Sequence, residues 1–252
     1  MTAELLYFNV RARAEPLRML MRHAGVPYTD RLVSLDEWPS LKPSLPAGRG
    51  GKVQLPVLRL PSGEMIAESV DIARWAAAHA GAPLLPDATE PPALDAEALW
   101  LSVDRGDAPF CCAELPVLAR VNPLLNFFDE EQTKEERQAF LRATAGVYEH
   151  YGRLLVSTPP PFFGGEQPHY ADFVLFHYFN NIETLDGGAV LASLRTDEAD
   201  AVREWYRAMK ALPAVAAYLS ERPQPGEGAV GRPVSVIYKH KDPAALFEPK
   251  SS

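Results

Sequence analysis

Short apolar runs and one amphipathic stretch alternate in the first third of the chain. Leu5 to Phe8 form an apolar run that predicts a buried strand. Beyond Glu15, apolar residues recur at helical spacing, which predicts an amphipathic helix through Leu17, Leu20, Met21 and Ala24. Tyr28 to Val33 is a second strand candidate. Tyr7 therefore lies at the end of a predicted strand, where α/β folds place their ligands.

A hairpin and a helix complete the predicted first domain. Val57 to Leu60 and Glu64 to Ala67 flank the turn Pro61-Ser62-Gly63, which predicts a β-hairpin. A helix is predicted from Ser69 to Ala80. Four prolines then interrupt the chain, as is typical of a linker, at Pro83, Pro86, Pro91 and Pro92. We therefore predict an α/β domain over residues 1–85.

The rest of the chain has helical periodicity, and no strand pairs stand out in it. Apolar residues at helical spacing occur in four segments, around Val103, Val147, Phe176 and Trp205. Loops at 159–165 and 185–188 separate the later segments. This pattern predicts an all-helical second domain over residues 95–222 that packs against the first. Residues 223–252 are predicted to form a loose C-terminal extension.

Composition and charge narrow the class of protein. The chain has 252 residues, 47% of them hydrophobic, and it contains no apolar run near the roughly 18 residues of a membrane span. The net charge is −8, but the first 85 residues carry ten Lys and Arg against eight Asp and Glu. This distribution argues against nucleic-acid binding and suits either a small anionic ligand near the N-terminus or an ordinary solvated surface. We expect a cytoplasmic protein without a membrane segment or a secretory signal.

Three short segments carry candidate ligand-binding groups. Trp38 and Lys42 offer an indole N–H and an ammonium group to an anion. The segment Gln54-Leu55-Pro56 opens a strand with a proline, and a cis bond there would turn the Leu55 backbone outward, whereas a trans proline would only mark the strand start. Glu68-Ser69 precedes a helix, so Ser69 is either a simple N-cap or a carboxylate-binding group beside the Glu68 carboxylate.

These residues together resemble the cytosolic glutathione transferases of the tyrosine type, most like the sigma class, over residues 1 to about 222. The matching segments are Tyr7-Phe8-Asn9-Val10-Arg11-Ala12-Arg13-Ala14-Glu15, Trp38-Pro39-Ser40-Leu41-Lys42-Pro43, Gln54-Leu55-Pro56-Val57 and Glu68-Ser69. They occur in the order that the family has. Ala12 stands where the family usually has glycine.

The resemblance implies a thioredoxin-like N-terminal domain that binds glutathione, followed by an all-α domain. Tyr7 would then donate its hydroxyl hydrogen to the glutathione sulfur, and Arg13 would add positive charge nearby. The other implied glutathione contacts come from Phe8, Trp38, Lys42, Gln54, Leu55, Pro56, Glu68 and Ser69. Trp38 and Lys42 would hold the glycyl carboxylate, the Leu55 backbone the cysteinyl part, and Gln54, Glu68 and Ser69 the γ-glutamyl end.

The resemblance also implies a homodimer that acts in detoxification. Asp104 would reach the glutathione of the neighbouring subunit, although a solvated helix charge explains it as well. Phe8, Phe110 and Cys111 are candidates for a pocket that binds a hydrophobic electrophile. The expected reaction is conjugation of the glutathione thiolate to that electrophile. A glutathione-dependent isomerase similar to prostaglandin D synthase and a non-catalytic, crystallin-like or ligand-carrying protein are the alternatives.

Other candidate chemistry is weaker. The first 110 residues contain no cysteine, which argues against a Cys-x-x-Cys oxidoreductase, and the adjacent pair Cys111-Cys112 does not form a disulfide framework. The six histidines lack metal-ligand spacing, so we expect no required metal. His169 stands where the family usually has a capping Ser or Thr, which predicts a weaker helix start. The loop between Pro43 and Gln54 is several residues longer than the family usually has and either is flexible or covers the site.

Overall fold

A computed structural model describes residues 2–9, 11–34, 36–79, 84, 134–158 and 161–222, with the side chains of 134–143 and 184–186 excepted. The predicted linker prolines, Asp104, Phe110, Cys111 and the extension 223–252 lie outside the described residues. The proposed domain boundaries at 85 and 95 therefore stay predictions.

The first part of the chain forms a four-stranded mixed sheet. Its strands are β1 (Ala3–Phe8), β2 (Tyr28–Val33), β3 (Val57–Arg59) and β4 (Met65–Ala67), in the spatial order β2-β1-β3-β4. β2 runs parallel to β1, whereas β3 is antiparallel to both β1 and β4. The apolar run of β1 accounts for its central place, because Leu5 and Leu6 are almost completely buried there.

Three helices and two 3₁₀ turns connect these strands. A 3₁₀ turn (Ala12–Ala14) leads into α1 (Glu15–His23), and the short α2 (Trp38–Leu41) leads into a second 3₁₀ turn (Lys42–Ser44). Helix α3 (Ser69–His79) follows the hairpin. The strands, the hairpin, α1 and α3 match the predicted elements within a few residues, whereas α2 and the two 3₁₀ turns were not predicted.

The second described part is helical, as predicted. It contains α4 (Lys134–Val156), α5 (Tyr170–Asp186), α6 (Ala189–Ser193), α7 (Asp197–Ala211) and α8 (Pro213–Glu221). Trp205 of α7 is fully buried, with aromatic neighbours at Phe163, Phe176 and Phe179. Aromatic side chains bury large apolar areas, so this cluster is the centre of the helical core.

Helix α5 begins with a cap that differs from the prediction. The His169 imidazole Nδ1 accepts a hydrogen bond from the Ala171 amide at 3.1 Å, and the Asp172 carboxylate accepts one from the His169 amide at 2.9 Å. Burial lowers the pKa of His169, which keeps the ring neutral and Nδ1 able to accept. The imidazole therefore replaces the expected hydroxyl, and the reason given for a weaker helix start is wrong.

The two parts of the chain meet along α1. This helix packs against α3 of the sheet region and against α5 and α8 of the helical region. The packing fixes the start of α1, and with it the turn that follows β1, relative to both regions.

Candidate active site

Tyr7 lies in β1, next to the turn that leads into α1. It is 5% exposed, and its hydroxyl oxygen accepts a hydrogen bond from the backbone N–H of Arg13 at 3.2 Å. Accepting this bond uses an oxygen lone pair and does not consume the hydroxyl hydrogen. The turn therefore orients the phenol while leaving its chemistry as a donor intact.

The turn that carries Arg13 contains an unusual backbone angle. Ala12 has a φ of 31°, a value that L-residues other than glycine rarely adopt. The family's glycine at this place would adopt it without a Cβ penalty. The departure noted in the sequence therefore affects the backbone of the turn that holds Tyr7.

A cleft opens beside the first turn of α3. The residues that line it come from four segments of the sheet region, and they are Arg13, Gly48, Lys52, Gln54, Leu55, Pro56, Ala67, Glu68 and Ser69. The Leu55–Pro56 peptide bond is cis. The structure thus brings together six of the predicted site residues: Arg13, Gln54, Leu55, Pro56, Glu68 and Ser69.

Glu68 and Ser69 lie where β4 joins α3. The Ile72 amide donates to the Glu68 carbonyl at 3.1 Å, and α3 begins at Ser69. Glu68 therefore occupies the N-cap position, and the prediction that Ser69 is the cap is off by one residue. Glu68 has a φ of 72°, in the left-handed region, which is a strained conformation of the kind that collects at functional sites.

The N-terminus of α3 favours an anion in the cleft. Ser69 is 1% exposed at the first helical position, where backbone N–H groups have no partner within the helix. The helix dipole adds to their effect. A carboxylate bound here would therefore be stabilised, and the Glu68 carboxylate beside it suits an ammonium group.

Three aromatic side chains and one lysine among the predicted site residues form a row outside this cleft, called the aromatic row below. Phe8 lies against Tyr7 with ring centroids 6.0 Å apart and contacts Trp38 edge-on at 5.6 Å. The Lys42 ammonium lies 5.7 Å from the centre of the Trp38 ring. Neither Trp38 nor Lys42 is among the described residues that line the cleft. The row continues from Tyr7, whose hydroxyl is bound to the Arg13 backbone.

Sequence reasoning missed a buried cluster of charges behind the turn. The Glu15 carboxylate, fully buried, accepts hydrogen bonds from Arg18 at 3.3 Å, Tyr218 at 2.8 Å and Arg222 at 2.6 Å. Burial alone would raise the pKa of Glu15, but the attraction of Arg222 and Arg18 outweighs it and lowers that pKa to about 2. Glu15 is thus ionised at neutral pH.

Arg11 lies beside this cluster and is also buried. Its Nε is 3.9 Å from a Glu15 carboxylate oxygen. Burial and the like charge of Arg222 lower the pKa of Arg11 to about 10, which still leaves it cationic at neutral pH. The only sequence signal for the cluster was the position of Arg11 and Glu15 in the motif that contains Tyr7.

Two family models match the chain. The family model "Glutathione S-transferase, N-terminal domain" matches residues 12–79, and "Glutathione S-transferase, C-terminal domain" matches residues 121–222. The chain belongs to the glutathione S-transferase family.

Individual members of the glutathione S-transferase family are similar in sequence to a part or to most of the chain. Glutathione S-transferase S1 of Drosophila melanogaster is 44% identical over 77 residues, which cover 31% of this chain and 28% of that protein. The chain thus spans less than a third of that curated relative. Probable glutathione S-transferase 6 of Caenorhabditis elegans is 28% identical over 87% of this chain and 96% of its own length.

A solved structure supports the fold of this glutathione S-transferase family member. The glutathione S-transferase from Ascaris lumbricoides superposes with a TM-score of 0.65 at 21% identity, covering 89% of this chain and 98% of that one. The predicted architecture, a thioredoxin-like N-terminal domain followed by a helical one, is confirmed.

None of the described helices is long and apolar enough to cross a bilayer. Within the same part of the chain, His, Cys, Asp and Glu form no group of three or more that could hold a metal ion.

Proposed function

We propose that the cleft binds glutathione and that Tyr7 stabilises its sulfur as a thiolate, which then attacks a hydrophobic electrophile. The observation that carries this proposal is the role of Arg13, which lines the cleft and whose backbone N–H holds the Tyr7 hydroxyl. Arg13 thus links the cleft to the one phenol that the family resemblance singles out.

The chemistry needs an ionised thiol. A free thiol has a pKa of about 8.5, so only a few per cent is thiolate at neutral pH. Lowering that pKa to about 6.5 requires about 2.7 kcal/mol of differential stabilisation. A hydrogen bond from a phenol to a thiolate, together with the positive charge of Arg13, is of this size.

The rest of the cleft suits the remaining groups of the tripeptide. The Glu68 carboxylate would accept the ammonium of the γ-glutamyl residue, and Ser69 with the start of α3 would bind its carboxylate. The Leu55 backbone would pair with the cysteinyl part, with Gln54 and Pro56 beside it. Trp38 and Lys42, at the far end of the aromatic row, would hold the glycyl carboxylate.

The proposed reaction breaks the S–H bond of the thiol and forms a carbon–sulfur bond. The thiol proton passes to solvent, and the sulfur electron pair forms a bond to the electrophilic carbon. With an aryl halide, the halide leaves with the electron pair of its own bond. Phe8 together with Phe110 and Cys111 remain the candidates for the electrophile pocket.

Finer assignments rest on the resemblance. The motif from Tyr7 to Glu15 favours a sigma-like member. The resemblance implies a homodimer that acts in detoxification, and the sequence favours a cytoplasmic location. Asp104 would then act across the dimer interface.

A Tyr7→Phe variant tests the proposal. It removes only the hydroxyl, so we expect glutathione affinity to be kept and turnover of a chromogenic aryl halide at pH 7 to fall about 3- to 25-fold, because raising the thiol pKa from about 6.5 by one to two lowers the thiolate fraction at pH 7 by that factor. The ultraviolet absorbance of bound thiolate should fall with it. Tyr28→Phe is the matched control, because the Tyr28 hydroxyl lies near the Arg18 carbonyl in the core instead of the cleft.

The outcome also separates the alternatives. Unchanged turnover in Tyr7→Phe would refute the role of Tyr7. Turnover of a prostaglandin endoperoxide in preference to aryl halides would favour the isomerase. Glutathione binding by the wild type without thiolate absorbance and without turnover would favour a non-catalytic ligand carrier.

A further inference from the structure

The inserted loop, residues Gly48–Lys52, folds back on itself next to the cleft. The Gly48 amide donates to the Lys52 carbonyl at 2.9 Å, and the Gly51 amide donates to the Gly48 carbonyl at 2.9 Å. These bonds bring the two ends of the loop together. Both ends, Gly48 and Lys52, line the cleft.

Arg49 fastens the inserted loop to the start of α3. Its backbone N–H donates to the Glu68 carboxylate at 2.9 Å. Its guanidinium binds both carboxylate oxygens of Asp71, with the Nε at 3.2 Å and an Nη at 2.5 Å. This two-pronged geometry fixes orientation better than a single contact does. The sequence left open whether the loop is flexible or covers the site, and the structure shows it docked on Glu68.

The close approach of the inserted loop to Glu68 depends on glycine. A Cβ built on Gly48 would lie 1.8 Å from a Glu68 carboxylate oxygen, far inside van der Waals contact. The Glu68 carboxylate therefore packs directly against the Gly48 backbone. At Gly50, by contrast, a Cβ would meet nothing within 4 Å.

Lys52 is the lysine that this arrangement brings to the cleft. It lines the cleft together with Glu68, Ser69 and Gly48, whose backbone touches Glu68. A free α-amino acid head group carries both an ammonium and a carboxylate. The Glu68 carboxylate can pair with the ammonium, whereas Ser69 supplies only neutral hydrogen-bond donors to the carboxylate. Arg13, the other cation that lines the cleft, is assigned to the sulfur in the proposed function, so Lys52 is the residue that can bring a full positive charge to this carboxylate.

We propose that Lys52 pairs with the α-carboxylate of the γ-glutamyl residue and makes the site selective for thiols that carry that carboxylate. The inference rests on the proposed function, namely that the cleft binds glutathione. Arg49 is a positioning residue, since it acts by holding the loop against Glu68 and Asp71.

Calorimetric binding of three thiols to wild type and to Lys52→Met tests the proposal. The thiols are glutathione, γ-glutamylcysteine, which lacks the glycyl carboxylate, and 4-aminobutanoyl-cysteinylglycine, which lacks the α-carboxylate. We expect Lys52→Met to weaken glutathione and γ-glutamylcysteine about tenfold, the size of one exposed charge-assisted contact, and to leave the third thiol unchanged. Lys52→Arg should restore most of the affinity.

The pattern across the three thiols decides the assignment. A penalty that disappears with γ-glutamylcysteine and persists with 4-aminobutanoyl-cysteinylglycine would place Lys52 at the glycyl carboxylate and overturn the inference. Equal affinities of wild type and Lys52→Met for glutathione would also overturn it, while leaving the proposed function intact. Failure of the wild type to bind glutathione would remove the proposed function, and the inference with it.

A second pair of variants tests the docking of the inserted loop. Gly48→Ala forces the Glu68 carboxylate away from the loop, so we expect glutathione affinity to fall at least tenfold. Gly50→Ala adds the same methyl in open space and should bind glutathione as the wild type does. Equal binding by both variants would show that the docked loop does not contribute to the site.

Discussion

The Tyr218 hydroxyl donates a 2.8 Å hydrogen bond to the Glu15 carboxylate, and the two residues are 203 positions apart in the chain. Glu15 opens α1 and Tyr218 lies in α8, so this bond joins the sheet region to the last described helix. Arg222 makes a second link to the same carboxylate. The start of α1, and the turn before it that holds Tyr7, are therefore anchored from the helical region.

Tyr218→Phe should destabilise the protein. The variant removes a hydrogen bond to a buried charged group, for which we expect a loss of about 1.5–3 kcal/mol in the free energy of unfolding, measured by urea denaturation. Tyr28→Phe is the control, since its hydroxyl lies 3.4 Å from the neutral Arg18 carbonyl and its charged partner, Arg22, is exposed to solvent, so the loss should be less than about 1 kcal/mol. Equal losses of unfolding free energy in the two variants would show that the hydrogen bond to Glu15 stabilises the protein no more than the hydrogen bond of Tyr28 does.

Acid should destabilise the protein partly through His177. Burial lowers the pKa of His177 from 6.5 to about 3. The negative charge of Glu15 opposes this shift to a smaller extent, and the positive charges of Arg222, Arg11 and Arg18 add to it. Only the unfolded chain then takes up a proton between pH 6.5 and 3. The free energy of unfolding should therefore fall by up to about 1.4 kcal/mol per pH unit as the pH drops through this range.

His177→Asn isolates this contribution. Urea midpoints measured from pH 8 to pH 5 should show a slope smaller by about one proton than in the wild type. The remaining slope comes from His169 and His23, whose pKa values are also lowered by burial. An unchanged slope in His177→Asn would mean that this residue is protonated in the folded state.

Asp172→Ala should be among the most destabilising single substitutions in the helical region. The fully buried carboxylate accepts from the Trp205 indole at 2.7 Å, the His169 amide at 2.9 Å and the Phe163 amide at 3.1 Å. Its removal leaves three buried donors without acceptors, so we expect a loss of about 3 kcal/mol or more. Asp200→Ala, at a carboxylate that is 72% exposed, should change the stability by less than about 1 kcal/mol. Thermal unfolding compares the two variants.

Ala12→Gly should stabilise the turn beside Tyr7. Glycine tolerates the φ of 31° at this position, and relief of the Cβ strain should raise the free energy of unfolding by up to about 1 kcal/mol. Ala14 has a φ of −83° and is fully buried, so Ala14→Gly gains no such relief and should lower stability by about 0.5–1 kcal/mol. Chemical denaturation should thus give opposite signs for the two substitutions. The same sign in both would show that the angle at Ala12 carries no strain.

The sequence by itself determined the local elements and indicated which residues are candidates for the site. The apolar run of β1, the helical spacing of α1 and the turn at Pro61-Ser62-Gly63 each depend on neighbours within a few residues, so their patterns could be recognised. The Tyr7 motif could be recognised for the same reason. The cap of α3 was placed one residue too late, because a hydroxyl before a helical pattern does not show which residue accepts the first helical bond.

Only the tertiary structure decided which distant residues share an environment. Two partners of Glu15, Tyr218 and Arg222, lie more than 200 residues away in the chain. The contacts of Arg49 with Glu68 and Asp71 join parts of the chain that β3 and β4 separate in the sequence. The burial and pairing of charges depend on such contacts, and the spacing of residue types along the sequence does not predict these contacts. For this reason the sequence left open whether the inserted loop is flexible or covers the site, and only the folded structure showed its contact with Glu68.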